Sequence, residues 1–198
     1  MKFYKRNTTL NVTTTALFVC LGLLFPMIFH FVGDGLGKIL LPMHIPVFLC
    51  GFICGPISGL LCGIIVPLIS SLITSTPVLF PYATAMSLEL ATYGILSGIL
   101  LELLKNSKNN TVNKLKIVIA LIISMIIGRI IHGLSLAIFS LAGSSTYSLK
   151  IFIAADFTAP WIGIIIQLIV IPMIMETLSR LKILEKYDIE YTVKNENS

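Results

Sequence analysis

From Ile39 to Leu88 the sequence contains no Asp, Glu, Lys or Arg. Apolar runs of this kind, broken only by Gly, Pro and small polar residues, are written for hydrocarbon rather than for water. Charge is segregated elsewhere, with most Lys and Arg in the two tails and between Lys105 and Lys116. Over the whole chain 56% of residues are hydrophobic and 12% charged, about half the charged share of a soluble domain. The pattern is that of a polytopic membrane protein. The formal charge of +5 does not indicate nucleic-acid binding, because the basic residues cap apolar spans and leave no basic face.

A helix needs about 20 apolar residues to cross the hydrocarbon. Six segments meet or approach that length: 10–31, 42–54, 57–73, 82–104, 115–141 and 151–178. The predicted fold is an all-α integral membrane bundle of six transmembrane helices over residues 1–178, with a cytoplasmic tail at 179–198. The second segment is short and is joined to the third by Gly55-Pro56, which reads as a tight reversal. Such a helix must be tilted or buried against protein. The N-terminal apolar run lacks a small-residue cleavage site before Pro26 and His30, so it is read as a retained first span.

Lys and Arg fix the orientation. With both termini cytoplasmic, Lys38 and Lys150 fall outside, Arg129 lies within a span, and every other basic residue is inside. The polar segment 105–114 then reads as a cytoplasmic loop. Gly51, Gly55, Gly59 and Gly63, with Gly94 and Gly98 in the fourth span, recur at four-residue intervals. Small residues at that spacing let helices approach closely in lipid, either within the bundle or as a docking face. Cys20, Cys50, Cys54 and Cys62 lie in apolar runs and read as buried small residues.

An ionisable group inside an apolar span costs ~2.5–3.5 kcal/mol on insertion scales. In the predicted orientation His30 closes span one, Asp34 lies in the outer loop and His44 opens span two. Glu89 lies about 10 Å inside the outer end of span four, and Asp156 near the outer end of span six. Arg129 and His132 fall about 20 and 25 Å from the cytoplasmic end of span five. These groups therefore gather in the middle and outer half, while Glu102 and Glu176 read as interfacial at the inner surface.

A pore or proton relay would distribute polar groups through the full depth, so an outward polar cup above an apolar plug points to binding. Glu89 and Arg129 come out at similar depth and are expected to pair, either as a structural bridge or as part of the cup. His132 shares a helix face with Arg129. His30 and His44 flank the outer loop and can also be read as hydrated interface residues.

The sequence has no HExxH, no GxSxG and no Walker A loop, and its three His are not spaced for a metal on one helix. The chain is expected to be non-catalytic, with no cofactor and no metal. The alternatives are a stand-alone secondary transporter, an intramembrane enzyme and a structural membrane subunit. The first lacks two matched halves with paired broken helices, and the last leaves the outward clustering unexplained.

Residues 41–100 carry Pro42-x-His44-x-Pro46, Gly55-Pro56, Pro67 and the run Glu89-Leu-x-x-Tyr93-Gly94. This stretch resembles the substrate-binding S components of energy-coupling factor (ECF) vitamin transporters. The resemblance implies a plasma-membrane subunit that captures a vitamin or precursor from outside. It would then dock on a transmembrane coupling subunit driven by two cytoplasmic ATPases. It places the ligand among the first outer loop and the outer halves of spans four to six. Residues 31–41 become the lid, with Gly33, Gly35, Gly37 and Lys38. The docking face implied on span one is an Ala-x-x-x-Ala, represented here by Ala16 and Cys20.

The expected substrate-binding residues are Asp34, His44, Tyr82, Glu89, Tyr93, Arg129, His132, Asp156 and Trp161, with Phe157 as a further aromatic wall. Together they suit a flat heteroaromatic ring with one polar or anionic substituent. Nicotinate-, pyridoxine- and ribazole-like compounds fit this description. Pantothenate, folate and riboflavin stay open, since the fold does not choose the vitamin.

Overall fold

The computed structural model describes residues 8–32, 41–103, 110–141 and 161–180. They form six helices: α1 (Thr8–Val32), α2 (His44–Cys54), α3 (Pro56–Thr74), α4 (Thr84–Leu103), α5 (Asn110–Leu141) and α6 (Trp161–Arg180). A π-helical turn, Leu79–Ala83, precedes α4. Every one of these helices except α2 belongs to a segment long and apolar enough to cross a membrane. The described residues thus form an all-helical bundle, and the chain is a multi-pass membrane protein.

With 11 residues, α2 rises about 16 Å, roughly half of the hydrocarbon thickness. Burial resolves its shortness: all of its residues except Ile45 are buried, against α1, α3, α4 and α6. Its reversal into α3 takes a single residue. Gly55 adopts φ 96°, a conformation a side chain would oppose, and Pro56 occupies the first position of α3, where a missing N–H costs nothing. The Gly55 N–H donates to the Gly51 carbonyl (3.1 Å), and the Gly55 carbonyl accepts from the Gly59 N–H (2.9 Å).

The spaced glycines serve packing within the bundle. A methyl group at Gly59 would fall on the Gly94 carbonyl, and one at Gly63 on the Leu90 carbonyl. At Gly98 it would meet Pro56. Helices α2, α3 and α4 therefore pack at backbone distance, the close approach that small residues permit in lipid.

Two predicted boundaries shift. The fourth apolar segment was expected to be helical from residue 82, but regular helix starts at Thr84. Phe80 is extended (φ −126°, ψ 130°), as the ring of the following Pro81 demands. The turn closes through Ala83 N–H to the Val78 carbonyl (3.0 Å) and Thr84 Oγ1 to the Pro81 carbonyl (2.8 Å). At its start, α5 takes in residues 110–114 of the segment predicted as a loop. An apolar run marks where a helix meets hydrocarbon, and polar turns can extend beyond that depth. Residues 104 and 151–160 of the predicted spans, and 181–198 of the predicted tail, lie outside the described residues.

Candidate functional site

Glu89 is the centre of a buried polar cluster. It lies in the first half of α4, one turn before Tyr93, and both are almost fully buried. The Tyr93 hydroxyl donates to Glu89 Oε1 at 2.5 Å. The Tyr93 ring stacks on Phe48 of α2, with centroids 4.8 Å apart and planes 21° apart. It also lies against the His44 ring at 5.5 Å.

From α5, Arg129 brings Nε to 3.3 Å from the same Glu89 oxygen. The residue before it, Gly128, allows the approach, because a Cβ there would enter the Tyr93 ring. The expected Glu89–Arg129 pair is therefore present and buried, at 2% and 7% side-chain exposure. A carboxylate in this environment is tolerable only with a charge partner and a charge-assisted hydrogen bond. It has both.

His44 opens α2 and is only 1% exposed, which corrects its reading as a hydrated interface residue. Its position at the start of a helix sheathed by four others places it inside the bundle. Nε2 lies 3.9 Å from Glu89 Oε1, and among the described residues neither ring nitrogen has a hydrogen-bond partner. His132, one turn beyond Arg129 and partly buried, lies within electrostatic range of both Glu89 and His44.

Two contributors carry no charge and escaped a search for ionisable groups. Phe48 supplies the stacking surface for Tyr93. Gln167, in α6, is 1% exposed and directs Nε2 at the Leu41 carbonyl, 3.5 Å away. That carbonyl also accepts the His44 backbone N–H at 3.1 Å, and Leu41 takes the positive φ of 48° that is uncommon outside glycine. A scan for any polar residue inside an apolar run would have flagged Gln167 in IIIQLIVI.

The structure thus brings together His44, Glu89, Tyr93 and Arg129, with His132 nearby. Tyr82 and Trp161 are 50% and 56% exposed, outside the buried cluster. Ala16 and Cys20 are both exposed, four residues apart on α1, which corrects the reading of Cys20 as buried, while Cys50, Cys54 and Cys62 are buried. Gly33, Asp34, Gly35, Gly37, Lys38, Asp156 and Phe157 lie outside the described residues, as does the side chain of His30.

No curated protein and no solved structure matches the chain. Residues 10–175 match the family described as ECF transporter, substrate-specific component. The match spans every member of the buried cluster, from His44 to Gln167. The chain belongs to this family, the membrane-embedded subunits that give ECF transporters their substrate specificity.

Proposed function

We propose that the chain captures a small water-soluble vitamin or vitamin precursor, of the heteroaromatic class, from the outer face of the plasma membrane. His44, Glu89, Tyr93, Arg129 and His132 form the polar floor of the site. Asp34, Tyr82, Asp156 and Trp161 are assigned to its walls, and the loop with Gly33, Gly35, Gly37 and Lys38 to its cover, on the resemblance. Delivery follows when the chain docks, through the α1 face bearing Ala16 and Cys20, on a transmembrane coupling subunit powered by two ATPases.

The observation that carries this reading is the His44 ring, buried beside an ion pair with both nitrogens unmatched among the described residues. An imidazole has at least one N–H to donate, and a buried polar group left unmade costs about 1–3 kcal/mol. If only packing were required, an apolar side chain would fill the position at lower cost. A flat ligand hydrogen-bonded to His44 and lying near Tyr93 would recover that loss.

Mass spectrometry of small molecules released from the purified chain tests this. A heteroaromatic compound that rebinds to the wild type, but not to His44→Phe, is the expected result. A chain that neither carries nor rebinds any small molecule would sink the proposal.

A further inference from the structure

Resting on that reading, we infer that the substrate edge read at this depth is uncharged, and that Gln167 reads it together with His44. The ligand class is a heteroaromatic ring carrying a hydrogen-bond donor and an acceptor, without a carboxylate or phosphate.

Charge comes first. Glu89 and Arg129 approach to 3.3 Å and compensate each other. Among the described residues the cluster has no net charge when its imidazoles are neutral. An anionic substituent brought to this depth would lose its water and gain no uncompensated cation, which is the costly way to bury a charge. The sequence left a polar or an anionic substituent open for the cup, and in the fold the partner of Arg129 is Glu89.

Hydrogen-bonding capacity comes second, and it is neutral. The His44 ring offers two nitrogens with no hydrogen-bond partner among the described residues. The Gln167 amide has two N–H donors and a carbonyl acceptor. Its one hydrogen bond among the described residues runs from Nε2 to the Leu41 carbonyl, at the long limit of 3.5 Å. A carboxamide is an expensive way to fill space between Ile166 and Leu168 on a membrane helix. The Leu41 carbonyl accepts from the Gln167 amide and from the backbone N–H of His44, so Gln167 lies beside the first turn of α2 from which the His44 ring projects. The two residues are thus neighbours at the start of α2, where one ligand edge can span both. A site built to hydrogen-bond a neutral edge discriminates strongly, because a ligand lacking that edge leaves its groups unpaired.

The test uses the full chain in detergent and three matched pairs of probes, each a neutral ring compound and its anionic counterpart. These are nicotinamide and nicotinate, pyridoxine and pyridoxine 5′-phosphate, and α-ribazole and its 5′-phosphate, with affinities read from thermal unfolding. The neutral member of one pair should bind at least about tenfold tighter than its anion. Gln167→Leu should weaken that binding about tenfold or more while the unliganded melting temperature holds. Gln167→Met, closer in length, replaces the Leu variant if that variant does not fold. Tighter binding of an anion overturns the inference and leaves the S-component reading intact. Wild-type affinity in a folded Gln167 variant overturns the role of Gln167. No stabilisation by any of the six compounds overturns the heteroaromatic class proposed above, and this inference with it.

Discussion

Gly59 of α3 and Gly94 of α4 meet backbone to backbone, with no room for a side chain on either. Gly94→Ala should therefore force α3 and α4 apart and destabilise the chain by about 1–3 kcal/mol, the usual cost of overpacking. Leu61→Ala, at a residue of α3 that is 48% exposed, should change stability much less. Thermal unfolding of both variants in detergent is the measurement, and equal losses would mean that the seam can yield.

The buried pair calls for a double-mutant cycle. Glu89→Gln or Arg129→Gln alone strands a charge and should cost about 3–5 kcal/mol. Replacing both should cost much less than the sum of the single changes, and the difference is the coupling energy. Additive losses would assign the two residues to separate roles.

Tyr93→Phe keeps the ring on Phe48 and removes only the donor to Glu89. A hydrogen bond to a charged group contributes about 1.5–3 kcal/mol, so a loss of that order is expected in the wild type and a smaller one in Glu89→Gln. Tyr93→Leu, which also removes the stacking, should be worse than Tyr93→Phe in both backgrounds. If Phe and Leu are equivalent at this position, the ring contact contributes nothing.

Transport should require partners. Cells expressing this chain alone should bind labelled substrate without accumulating it, and adding a coupling subunit with its ATPases should produce uptake that stops when ATP is depleted. Accumulation by the lone chain would indicate a secondary transporter instead. Reporter fusions within 105–109 and at the C-terminus should both read as cytoplasmic, as the distribution of Lys and Arg predicts.

The helices were legible because hydrocarbon imposes length and composition directly. The Gly55-Pro56 reversal was equally plain, since few residues other than glycine tolerate its backbone angle. Depth counting along two helices also sufficed to match Glu89 with Arg129. Depth carries no information about side-chain direction, however, so it could not show His44 turned inward with its nitrogens unmatched. Nor could it show Phe48 lying on Tyr93. Gln167 was missed for a different reason: it bears no charge, so it leaves no gap in a charge map. The start of α4 depended on the conformation Pro81 imposes on Phe80, a local effect that an apolar count passes over.

The hydrogen bond between Tyr93 and Glu89 is also local where the ion pair is not. Arg129 follows Glu89 by forty residues and stands on another helix, so the ion pair needs α4 and α5 packed together. Tyr93 stands one turn further along the same helix, so this partner needs only α4 to be formed. A single helix thereby holds one partner for its own carboxyl group before any tertiary contact forms, and packing of α5 adds the second.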